Sequence, residues 1–145
     1  MNKIIYLTLE QAKTTHALTI KNSGGGLLND LNIGQLDSIL THIQNDEYYP
    51  TFIQKLTHLF FSVCKFHTFE DGNKRLALSL SMQFLLLNGY LFIASSFMHD
   101  YENISYHVAS GKITKDLLQE ILQSSFDGNF DSEEIKLKIF NAINS

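Results

Sequence analysis

The sequence predicts a compact all-α domain, and three observations predict it. Apolar residues recur at helical spacing in successive stretches, such as Ile33, Leu36, Ile39, Leu40 and Ile43. Two of the predicted helices open on a capping box, Thr8-Leu9-Glu10-Gln11 and Thr51-Phe52-Ile53-Gln54. One stretch, Lys74 to Leu87, is apolar on nearly every face, so other helices must enclose it. The expected architecture is a bundle of roughly six to seven helices around that central one.

Composition narrows the class. A chain of 145 residues that is 44% hydrophobic, with 11 Phe and 6 Tyr, can bury a core. Charged residues make up 18%, too few for a disordered polyelectrolyte. A net charge of −4 argues against a general nucleic-acid or anionic-membrane binder. Cys64 is the single cysteine, so no internal disulfide forms, and a buried reduced thiol fits the cytoplasm. The run Ile4 to Leu7 is too short for a signal peptide, and Leu76–Leu87 is too short for a membrane span.

Taken in order, Ile4–Leu7 reads as a strand or an extended lead-in. A first helix follows from Thr8 to about Lys21 and stops at Gly24-Gly25-Gly26. These glycines lack the Lys-Ser/Thr of a P-loop, so a turn or a backbone crossing is expected. A second helix spans about Gly34–Gln44. The third starts at Thr51, carries Phe52, Leu56, Leu59, Phe60 and Val63 inward, and runs into Lys65. His58 on it reads as structural, since no metal set is completed. After the central helix, Asn88-Gly89 is a stop. Tyr90–Ile93 is β-prone, Met98–Ser110 is helical, and Thr114 caps a helix bearing Leu117, Leu118, Ile121 and Leu122. Asp127, Asn129 and Asp131 imitate the first ligands of an EF-hand loop. Ser132 and Lys138 stand where that loop needs Gly and Glu, so a turn and an N-cap at Asp131 or Ser132 are expected. A last amphipathic helix carries Ile135, Ile139, Phe140 and Ile143.

The chemistry concentrates in His67-Thr68-Phe69-Glu70-Asp71-Gly72-Asn73-Lys74-Arg75, just before the central helix. A helix start offers unpaired N–H groups and a positive dipole end, which suit phosphate. Gly72 lets the backbone curl so that successive N–H groups converge on an anion. Arg75 can fork onto a phosphate oxygen. Asp71 is a hard oxygen ligand for the Mg²⁺ that accompanies nucleotide phosphates. His67 has the pKa range to take a proton from a hydroxyl near pH 7. Each residue alone has a plainer role, as a helix-start charge, a core ring or a local hydrogen bond. Their joint occurrence outweighs those readings.

These nine residues resemble the Fic/Doc signature, His-x-Phe-x-Asp/Glu-Gly/Ala-Asn-Gly/Lys-Arg. The resemblance continues loosely from about residue 6 to about residue 125, including the glycines after the first helix and Gly111-Lys112-Ile113-Thr114. It implies a catalytic domain over residues 1–125 with 126–145 as its helical extension. By resemblance, His67 is the general base and Phe69 an inward anchor. Asp71 holds Mg²⁺, Gly72 and Asn73 form the anion hole, and Lys74 and Arg75 bind nucleotide phosphate. Asn45–Pro50 falls where the family places a flap over its target. Glu47, Tyr48 and Tyr49 would then dock an extended segment by strand-like pairing, leaving room for a short β-hairpin. The alternative is an ordinary loop whose tyrosines cover the core.

The implied activity is transfer of a phosphate-containing group from ATP or another nucleoside triphosphate to a hydroxyl of a target protein. Two departures bear on which group moves. Lys74 stands where AMP-transferring members usually have Gly, and Leu78 where they carry a second Arg. Lys-Arg followed by an apolar residue resembles the Doc branch, toxins of toxin–antitoxin pairs associated with phosphoryl transfer to the translation machinery. Some Fic-like sequences, however, combine Gly-Asn-Lys-Arg with a Tyr-Pro flap, which this chain resembles at Tyr49-Pro50. No Glu has Ser or Thr four residues before it, so the family's self-inhibitory helix motif is absent and a separate antitoxin is expected. A non-catalytic nucleotide-binding or interaction module is the rival class.

Overall fold

A computed structural model describes residues 3–23, 30–65 and 72–145. Seven helices occur among them: α1 (Leu9–Ser23), α2 (Asp30–His42), α3 (Phe52–Cys64), α4 (Gly72–Leu87), α5 (Leu91–Ala109), α6 (Lys115–Phe126) and α7 (Glu133–Ile143). The all-α expectation holds. The Gly24-Gly25-Gly26 stop lies outside the described residues.

The capping residues act as their chemistry demands. Thr8 Oγ1 accepts from Gln11 N at 3.1 Å, and Gln11 Oε1 accepts from Thr8 N at 2.9 Å. Thr51 and Gln54 close the same reciprocal pair at the start of α3. Thr114 and Ser132 cap α6 and α7. Thr51→Ala is expected to cost about 1 kcal/mol, because the Gln54 N–H loses its side-chain acceptor at the start of α3. Urea unfolding monitored by circular dichroism checks this; an unchanged midpoint would mean that water replaces the cap without loss.

Burial makes α4 the centre. It packs against α1, α3 and α5, while α6 lies on α3 and α7 on α6. Leu76, Ala77, Leu80, Phe84 and Leu85 are fully buried along it. Phe84 stacks on Phe52 with ring centres 4.7 Å apart, and Tyr90 and Phe126 extend the pile beyond Phe52. Phe84, fully removed from water, contributes about 1.5–3 kcal/mol, and the half-buried rings contribute less. At the end of α4, Gly89 takes φ +84°, which an L side chain resists, and Tyr90 N donates to Leu85 O at 3.0 Å. Asn88 clips the N-terminal lead-in to this corner. Its Oδ1 accepts from Ile5 N at 2.8 Å, and its Nδ2 donates to Ile5 O at 2.9 Å and to Phe84 O at 2.9 Å. The lead-in has no strand partner among the described residues.

Two sequence expectations change. Tyr90–Ile93 is not extended: α5 begins at Leu91 and runs unbroken to Ala109. Burial overrides local β preference there. Ala94, Phe97 and Tyr101 share one buried face, and Phe97 and Tyr101 stack at 4.5 Å. The segment before α3 holds no β-hairpin but a turn. Asn45 Oδ1 accepts from Glu47 N at 2.9 Å and Tyr48 N at 3.2 Å, and Asn45 O accepts from Tyr49 N at 2.9 Å. Fully buried Lys55 pins its start, donating to Ile43 O and Asp46 Oδ1, each at 2.8 Å. Burial disfavours the Lys55 ammonium, but the bonds to Asp46 and Tyr6 outweigh this and raise its pKa.

Candidate functional site

The motif straddles the junction of α3 and α4. Its first part, His67, Phe69, Glu70 and Asp71, lies outside the described residues. Its second part opens α4: the helix starts at Gly72, so Asn73, Lys74 and Arg75 occupy its first turn. Asn73 is buried, Lys74 half-buried and Arg75 exposed. Lys74 Nζ lies over the Tyr106 ring, 5.9 Å from its centre. A helix start of this kind leaves backbone N–H groups without intrahelical acceptors, next to a cation that solvent can reach.

The surroundings are cationic too. Lys65, just past the end of α3, lies over Phe61 and beside Gly111. Both Lys65 and Lys74 act electrostatically on the Cys64 thiol, yet burial dominates and pushes that thiol up to about 12. Cys64 is therefore an inert core residue. Nearly two turns into α4, Leu78 is 3% exposed and belongs to the core.

A family model for the Fic/DOC family matches residues 6–85, more than half of the chain. The chain belongs to the Fic/DOC family. No curated protein and no solved structure matches it. The matched span runs through the nine-residue motif to Leu85 and stops short of α5 and α6, so the looser likeness up to about residue 125 is not part of it.

This Fic/DOC chain thus belongs to a family of nucleotide-using, protein-modifying enzymes. The donor chemistry suits the metal that such nucleotides bring. Mg²⁺ is ordinarily held by one or two carboxylates plus substrate phosphates, and the sequence of the motif contains a carboxylate of that kind, Asp71. Among the described residues no group of three or more His, Cys, Asp or Glu side chains forms a separate metal cage. No described helix is long and apolar enough to cross a membrane. A cleft of about 730 Å³ opens between α6 and α7, lined by Glu120, Glu134 and Lys138 among others. It shares no residue with the motif, and Lys138 spans it to Glu120 at 2.7 Å.

The turn before α3 brings Tyr49 together with His42 and Lys115, which the sequence did not single out. Tyr48 is 66% exposed, while Tyr49 folds back onto His58 of α3. His42 and Lys115 join them from α2 and α6. Burial, then the charges of Lys115 and His42, lower His58 to about 4. Buried His16 is lowered too, by desolvation. A histidine lowered on folding leaves its stability intact above the unfolded value near 6.5 and loses it as pH falls towards the folded one. Wild type is therefore expected to lose about 1–2 kcal/mol more than His58→Gln between pH 7 and pH 4.5, discounting for the ring's partial exposure. Both chains keep His16, so parallel urea titrations isolate His58. Equal losses would show that His58 titrates as in water.

Proposed function

We propose that this chain is a Fic/Doc-type transferase that moves the γ-phosphoryl group of ATP to a hydroxyl of a target protein. The observation that supports this most is the placement of Gly72, Asn73, Lys74 and Arg75 on the first turn of a buried helix that begins within the motif. Residues 1–125 form the catalytic domain and 126–145 its extension. His67 takes the proton of the attacking hydroxyl. The hydroxyl oxygen bonds to the γ-phosphorus as the bond to the bridging oxygen breaks, and ADP leaves. Backbone N–H groups after Gly72 stabilise the charge that develops on the phosphoryl oxygens. Arg75, with Lys74, orients the phosphates. Asp71 would hold the Mg²⁺, which neutralises phosphate charge when bound.

Buried Leu78 favours this reading over AMP transfer, because the place of a second phosphate-binding cation is filled by core. The expected biology is toxin-like: a cytoplasmic kinase acting on a protein of the translation machinery and held in check by a separate antitoxin. The Tyr49-Pro50 pair favours the alternative, AMPylation, in which the α-phosphorus is attacked and pyrophosphate leaves. Mass spectrometry of a lysate incubated with Mg-ATP decides. An added phosphate present with wild type and missing with His67→Ala supports the kinase. An added AMP supports the alternative. Nucleotide binding with no His67-dependent product would leave a binding module.

A further inference from the structure

Four elements meet at His58. Its Nδ1 lies 3.0 Å from the Tyr49 hydroxyl and 2.9 Å from Lys115 Nζ. The same hydroxyl lies 3.3 Å from His42 Nδ1. Ser62 Oγ sits 3.4 Å from both nitrogens of the His58 ring. The Tyr49 ring stacks on His58, with centres 4.6 Å apart, and Lys115 Nζ stands 5.4 Å from the centre of the Tyr49 ring.

The donors here outnumber the acceptors. A neutral imidazole offers one lone pair, yet a phenol and an ammonium both address Nδ1 of His58. Lys115 has two further N–H bonds, and among the described residues it has no carboxylate partner. It is half-buried, and burial lowers its pKa against the pull of neighbouring Asp116. A second cation is disfavoured beside it, which argues against a metal on the two histidines. An oxyanion would accept the spare protons and relieve the charge.

We infer that this cluster binds the carboxylate of an acidic side chain on the target segment. The inference rests on the transferase reading above. Exposed Tyr48 and His42 leave the cluster open to solvent beside the turn at residues 45–50. Its distance from the end of α3 is on the scale of a short peptide. His58 precedes Lys65, where α3 ends, by seven residues. That is about 10 Å along a helix, or about three residues of extended chain.

The test uses two labelled hexapeptides that differ by one Glu or Gln in an otherwise Ala/Ser sequence. Anisotropy is measured with the full chain and no nucleotide. Wild type is expected to bind the Glu peptide about 10-fold more tightly, the effect of one charge-assisted pair. Lys115→Gln, checked for folding by circular dichroism, should erase the preference. The His58 imidazole resonance should titrate at higher pH with the Glu peptide bound. Equal affinities in wild type, or a preference that survives in Lys115→Gln, would overturn the inference. So would inorganic phosphate shifting His58 while the two peptides bind alike. A Glu preference in a chain that makes no His67-dependent product would instead sink the transferase reading and leave the docking site standing.

Discussion

His67→Ala is expected to lower the rate of group transfer by about 10²–10⁴-fold, the usual contribution of a placed general base. Nucleotide affinity should stay near wild type, because in the proposed mechanism the imidazole acts on the hydroxyl and not on the phosphates. Arg75→Ala gives the complementary pattern. Arg75 is exposed, so stability should move by no more than about 0.5 kcal/mol while nucleotide binding falls. Single-turnover rates and equilibrium titration with a fluorescent ATP analogue separate the two. A His67→Ala chain with the wild-type rate would remove His67 from the chemistry.

Leu78→Arg is expected to destabilise the fold by about 3–5 kcal/mol and not to create a better triphosphate site. Leu78 is 3% exposed within the core that α4 shares with its neighbours. An arginine there must either bury an unpaired guanidinium or force the helix away from its packing. Thermal unfolding should show a large drop. A variant that keeps its melting temperature and binds ATP more tightly would mean that the new side chain escapes to the phosphates. The AMP-transfer reading would then regain ground.

What the sequence made legible follows from the range over which each signal acts. Capping at Thr8, Thr51, Thr114 and Ser132 depends on residues three apart, so it reads directly from the chain. The enclosure of α4 reads from its apolar content. The start of α5 did not, because Tyr90–Ile93 is locally β-prone and only the long-range packing of Phe97 and Tyr101 decides for helix. The turn at Asn45 was visible as a break, but its form is set by the Asn45 side chain and by Lys55 from the next helix. The His58 cluster was hidden for the same reason: its partners at residues 42, 49 and 115 meet only in space. For the motif, the order of residue types gave the family and the expected roles. The structure adds the helical placement of Gly72 to Arg75 and the buried state of Leu78.

The Asn88 clip also sets an order of assembly during synthesis. It joins Ile5 to a residue 83 positions later, and α1 packs on the helix that ends just before it. At about 5–20 residues per second, the ribosome needs roughly 4–16 s to make the intervening chain. Through that interval the first helix lacks α4, the helix it packs against most, and has only α2 beside it. The nascent N-terminal segment therefore stays accessible to chaperones and proteases until the end of α4 has been made.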